Sequence, residues 1–75
     1  MTRPKKRSFS IKGHRTSVSL EKPFWDALRE IAINSNVSLA HLVATIDAQR
    51  GDVGLSTAVR LYILDYYRNE TARKP

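Results

Sequence analysis

Between Arg15 and Glu21 the chain alternates without a break, with Thr16, Val18 and Leu20 on one side and Arg15, Ser17, Ser19 and Glu21 on the other. A period of two marks a strand with one buried face and one open face. Pro23 closes the segment, and the apolar residues after it recur at helical spacing. One strand ahead of helices is an incomplete object, because its backbone donors and acceptors need a partner and even a two-stranded hairpin is barely stable alone. Two partners are available. Ser8–Ile11 can fold back through Lys12-Gly13-His14, or Arg15–Glu21 can pair with its own copy from a second chain about a two-fold axis. Size favours the second. A chain of 75 residues buries only roughly 60% of the surface it exposes when unfolded. It has no cysteine for a disulfide, which leaves oligomerisation as the expected reinforcement.

Pro23 suits the first turn of a helix, where its missing N–H costs nothing. The first helix is expected over about 23–33, with Phe24, Leu28, Ile31 and Ala32 as its apolar stripe and Trp25 at the stripe's edge. Asn34-Ser35-Asn36 ends it, with Asn36 suited to a left-handed turn. Ser38 is the expected N-cap of a second helix over about 39–49, whose stripe is Leu39, Leu42, Val43 and Ile46. After a loop at 50–54, Ser56 is expected to cap a third helix over about 57–69. Val59, Tyr62, Ile63 and Tyr66 lie on one side of it and Leu61 and Leu64 on another, so it is expected to be covered from two directions, once by a partner subunit.

The charge is one-sided. Arg3, Lys5, Lys6, Arg7, Lys12 and Arg15 fall within the first twenty residues with no acidic residue among them, whereas residues 21–75 carry seven basic and seven acidic residues. The whole excess of +6 therefore sits at one end, which describes a surface made to meet a polyanion. Residues 1–7 read as a flexible basic arm, 8–69 as the folded domain and 70–75 as a frayed tail. An antiparallel ribbon would bury Val18 and Leu20 against helix residues Leu28, Ile31, Leu42, Val43 and Ile46, the expected dimer core. It would hold Arg15, Ser17 and Ser19 up to solvent. Such a ribbon fits the DNA major groove, where arginine bonds guanine bidentately and serine donates or accepts at several base edges. Lys5, Lys6, Arg7 and His14 would lie beside it against phosphates.

The order strand, helix, turn, helix resembles the ribbon-helix-helix superfamily of the Arc and MetJ repressors. The matching residues are Ser17-Val18-Ser19-Leu20-Glu21, Pro23, and Asn36-Val37-Ser38-Leu39. The longer string Gly13 to Glu21, with Phe24-Trp25 and Leu55-Ser56…Tyr66-Tyr67, is similar to a small bacterial subgroup with a third helix; the likeness spans roughly 7–68. The resemblance implies a mainly α fold with one short strand, in an intertwined homodimer whose two-stranded ribbon is intermolecular. It also implies base contacts from Ser17, Ser19 and Arg15, and a phosphate held by Ser38 and the backbone at Leu39. That last role has a physical basis, since free N–H groups and the helix dipole attract anions. Two residues depart from the pattern: Glu21 stands where a polar or basic reader is common, and Asn36 where glycine is common.

Other chemistry has little to stand on. His41 beside Ser38 reads as a surface residue next to a cap, with no orienting carboxylate adjoining, so the chain is not expected to be an enzyme. His14 and His41 are too few and too far apart for a metal site. Neither a cofactor nor a small-molecule ligand is expected; Trp25, Tyr62, Tyr66 and Tyr67 read as core or dimer interface rather than as a pocket. No apolar run reaches the ~20 residues of a membrane span, and the expected location is cytoplasmic. The function expected is sequence-specific binding of double-stranded DNA by a small homodimeric repressor. The alternatives are an antitoxin-type autoregulator that also binds a partner protein, through the third helix, and a non-specific basic nucleoid or RNA-binding protein.

Overall fold

Lys12 and Gly13 both take positive φ, 52° and 78°, the pair of left-handed conformations that a two-residue type I′ turn demands. That turn decides which strand pairs with which. In the computed structural model, which describes residues 3–73, β1 (Lys5–Ile11) and β2 (His14–Leu20) form an antiparallel hairpin within one chain. Its register runs from Ile11 opposite His14 to Lys5 opposite Leu20. Three helices follow: α1 (Lys22–Asn34), α2 (Leu39–Gln49) and α3 (Leu55–Arg73).

The hairpin bears on two expectations. One edge of β2 is paired by the chain's own β1, the local partner that Ser8–Ile11 offered. Lys5, Lys6 and Arg7, expected in a flexible arm, form the first half of that strand; Met1 and Thr2 of the arm lie outside the described residues. The hold on β1 comes from α1. The Trp25 indole Nε1–H donates to the Lys5 carbonyl at 3.0 Å. Its ring stacks on Phe9 at 6.2 Å, and the Arg7 guanidinium lies 5.5 Å from the ring centroid. Trp25 is thereby only 3% exposed. It belongs to the centre of the core, not to the edge of a stripe, because β1 lies across it.

The core joins the inner face of the hairpin to all three helices. Val18, Leu20, Leu28, Ile31, Leu42, Val43 and Ile46, expected as a dimer core, are all buried within the single chain, together with Ile11, Trp25, Ala32, Leu55, Val59 and Ile63. Among the described residues no polar or charged residue is buried, so this is a plain hydrophobic closure.

The helix ends follow local chemistry. At the close of α1 the Asn36 N–H bonds the Ile33 carbonyl and the Val37 N–H bonds the Ala32 carbonyl, the two bonds of a Schellman motif. Asn36 supplies its left-handed residue with φ 59°, so asparagine meets the geometry usually given to glycine. Ser38 caps α2, its Oγ accepting from the His41 N–H at 3.0 Å. The third helix differs from expectation at both ends. It begins at Leu55, with the Ala58 N–H bonded to the Gly54 carbonyl, so Ser56 lies inside the first turn and is free for another role. It also continues to Arg73, through most of the expected tail; positions 74 and 75 lie outside the described residues. Leu61 and Leu64 remain 54% and 53% exposed on its outer side.

Candidate nucleic-acid interface

In an antiparallel pair, residues directly opposite one another point to the same face. The register therefore sorts the hairpin into two sets. Lys5, Arg7, Phe9 and Ile11 share the inner side with Leu20, Val18, Thr16 and His14; Lys6, Ser8 and Ser10 share the outer side with Ser19, Ser17 and Arg15. The outer side is made of four serines, one lysine and one arginine. All are exposed except Ser19, which is half-buried. No acidic residue occurs anywhere from Met1 to Leu20, so this narrow face is both positive and made mainly of short hydroxyl side chains.

Its far edge is fixed by α3. The Ser19 N–H donates to Ser56 Oγ at 3.0 Å, and Arg60 Nη2 donates to the Ser19 carbonyl at 3.2 Å. Both backbone groups of Ser19 thus point away from β1 and end on α3. At this residue α3 engages the edge of β2 that faces away from β1. By the alternation of the ladder, the backbone groups of Ser17 and Arg15 point toward the same edge.

Arg60 also resolves the misplaced acid. Its Nη2 lies 3.2 Å from Glu21 Oε1, so the carboxylate at the end of the ribbon is paired before it can repel a phosphate. The Arg60 guanidinium also lies 5.9 Å from the centroid of the Phe24 ring. Sequence spacing gives no sign of this link, since residues 21 and 60 belong to different elements. The Glu21 carboxyl is held below its ordinary 4.5 by its own backbone N–H and then by Arg60, against a smaller opposing effect of desolvation. A lowered pKa in the folded state means stability that is complete above the ordinary value and is lost as pH falls through the lowered one. On acidification below about pH 4.5, the wild type should therefore lose thermal stability more steeply than Glu21→Gln. The two should differ little at neutral pH, because these side chains keep 34% and 32% of their surface in water and a pair so open to solvent is worth little. Parallel acid limbs in the two melting profiles would show that this pairing does not contribute.

The expected site residues fall into three places. Arg15, Ser17 and Ser19 share the outer face, as the alternation predicts, and Lys6 joins them there. Lys5, Arg7 and His14 are exposed but rise from the inner side, at the two ends of the ribbon. Ser38 and Leu39 open α2, a separate element. The Ser38 hydroxyl is engaged by His41, and the first N–H groups of the helix, at Leu39 and Ala40, have no partner within it. Ser8 and Ser10 complete the outer face and were not singled out by the sequence. The signal was present: with a two-residue turn at Lys12-Gly13, they fall opposite Ser17 and Arg15.

A small positive hairpin packed on helices, with its polar face outward, is the architecture of a groove-reading ribbon. Residues 4–67 match the family model described as a ribbon-helix-helix domain. The chain belongs to the ribbon-helix-helix family, a class of DNA-binding regulators. It is also similar in structure to an uncharacterized protein from Bordetella pertussis Tohama I, with a TM-score of 0.77 and 26% sequence identity over 92% of this chain. The likeness covers 59% of that protein's length. No curated protein matches the sequence. Among the described residues, no helix is long and apolar enough to cross a membrane.

Proposed function

We propose that this chain is a sequence-specific double-stranded-DNA-binding protein acting as a small transcriptional repressor in the cytoplasm, with no catalytic role. The observation that carries the reading is the outer face of the hairpin: exposed, basic, free of acids and built from side chains short enough to let the backbone approach base edges. Arg15, Ser17 and Ser19 are the base-contacting residues on β2. Lys5, Lys6, Arg7 and His14 meet phosphates along the flanks. The start of α2, through Ser38 and the N–H of Leu39, holds a further phosphate. A second copy of the chain completes a homodimer, and the half-exposed Leu61 and Leu64 on α3 support a partner subunit over that helix.

Selection of bound sites from random duplex DNA tests the reading. A repeatable recovered sequence supports it, and its absence would leave a merely electrostatic binder. The flanking charges have a separate signature. Lys5→Gln and Lys6→Gln alter exposed side chains without removing any part of β1, whereas deleting residues 1–7 would take away the strand's first half. Each phosphate that is no longer neutralised should flatten the dependence of log K on log salt by roughly 0.9. An unchanged slope in the double variant would show that neither lysine meets a phosphate.

A further inference from the structure

We propose that Ser56 and Arg60 of α3 are positioning residues for base reading: they hold Ser19 by its backbone and so set how its hydroxyl meets a base edge. This rests on the DNA-binding reading above and extends it to the third helix. Ser56 and Arg60 stand four residues apart on one helix and are therefore neighbours on one face. That face offers the strand an acceptor and a donor, one for each backbone group of a single residue. The Ser19 N–H donates to Ser56 Oγ at 3.0 Å, and the Ser19 carbonyl accepts from Arg60 Nη2 at 3.2 Å. The burial of α3 rests on Leu55, Val59 and Ile63. Ser56 and Arg60 add direction to that packing.

The hold falls where reading needs it. Ser19 is the last outer-face residue of β2, one short of the strand's end at Leu20, and the ends of elements are where structures open first. Of Arg15, Ser17 and Ser19, it alone is half-buried. Hydrogen bonds weaken steeply as they lengthen or bend. A serine side chain is too short to make up for a displaced backbone, so a reading hydroxyl needs its backbone held by supporting residues. Arg60 is itself fixed, with its guanidinium 5.9 Å from the Phe24 ring centroid and Nη2 3.2 Å from Glu21 Oε1. Its two roles are separable. The bond to Ser19 governs which sequence is read, whereas the pairing of Glu21 governs how strongly any phosphate backbone is tolerated.

The test uses full-chain variants Ser19→Ala, Ser56→Ala, Ser56→Thr, Arg60→Met, and Arg60→Met combined with Glu21→Gln. Each is measured on the DNA sequence recovered by selection and on a random-sequence duplex, at one salt concentration. The temperature is one at which circular dichroism shows the variants fully folded. Ser19→Ala and Ser56→Ala should each weaken binding to the selected sequence by roughly 3- to 10-fold and leave the random duplex nearly unaffected. Ser56→Thr keeps the acceptor oxygen and should keep the preference. Arg60→Met should weaken binding to both DNAs; adding Glu21→Gln should restore the random duplex but not the preference. If Arg60→Met does not fold, the Ser56 pair decides. Folded Ser56→Ala and Arg60→Met chains with wild-type preference, beside a Ser19→Ala chain that loses it, would overturn the proposal and leave reading by Ser19 intact. Full preference in Ser19→Ala would remove Ser19 from the reading residues and the proposal with it. If selection recovers no sequence, the reading on which both rest fails.

Discussion

Replacing Leu20 with aspartate should leave this chain largely unfolded at room temperature and unable to bind DNA. Leu20 has no exposed surface and stands where the end of the hairpin meets the helices. The substitution forfeits about 1.5–3 kcal/mol of side-chain burial and places a carboxylate where no cation is buried with it, a cost of several kcal/mol more. The total stability of a folded domain is only about 5–15 kcal/mol, and a core this small belongs toward the low end. Circular dichroism should show most of the helix signal gone, whereas Leu20→Met, which conserves volume, should keep it. A Leu20→Asp chain that still melts cooperatively near the wild-type temperature would mean that this side chain is not enclosed. Concentration dependence of the wild-type midpoint is the signature of the proposed homodimer.

Trp25→Ala is expected to have the next largest effect and a more selective one. Removing a buried tryptophan costs about 3–5 kcal/mol. In a chain of this length that should lower the melting temperature by more than about 12 °C. Here it also strips β1 of its stack on Phe9, its bond at the Lys5 carbonyl and the cation over the ring at Arg7. The hairpin should loosen first, so DNA binding should fall at temperatures where the helices persist. Trp25→Phe keeps a ring but loses the Nε1–H donor and should cost only about 1 kcal/mol. Comparing helix content with DNA affinity across temperature for the three proteins checks this. Parallel loss of both in Trp25→Ala would show that β1 has no separate dependence on the indole.

Much of this architecture could be read from local chemistry. The alternation of Thr16, Val18 and Leu20 marked β2, the Ser38 cap and its apolar stripe bounded α2, and Asn36 announced the left-handed turn. Each signal lies within a few residues of what it specifies. What escaped was fixed by distant contacts. Lys5-Lys6-Arg7 has no apolar alternation and looks like a solvated arm, yet it is a strand because an indole twenty residues away accepts it as a lid. Ser56 looks like a helix cap and instead receives the Ser19 N–H. Glu21 looks unsuited to a DNA-facing ribbon until Arg60 is seen beside it. On the outer face, the β2 residues Arg15, Ser17 and Ser19 were legible because their own strand was. Ser8 and Ser10 needed the register of a hairpin that the oligomer argument had set aside. The argument from a small core looked to a second chain and so passed over the hold that Trp25 gives β1 within one chain.

The turn at Lys12-Gly13 also bears on how quickly the molecule acquires its working shape. A ribbon shared between chains forms only after two molecules meet, so its assembly slows with dilution. Here every rung of the ladder joins residues no farther apart than Lys5 and Leu20, and hairpins of this kind close in about 1–10 μs. Local contacts of this kind are the ones associated with fast folding. The β1–β2 pairing therefore needs no encounter with a second molecule to form.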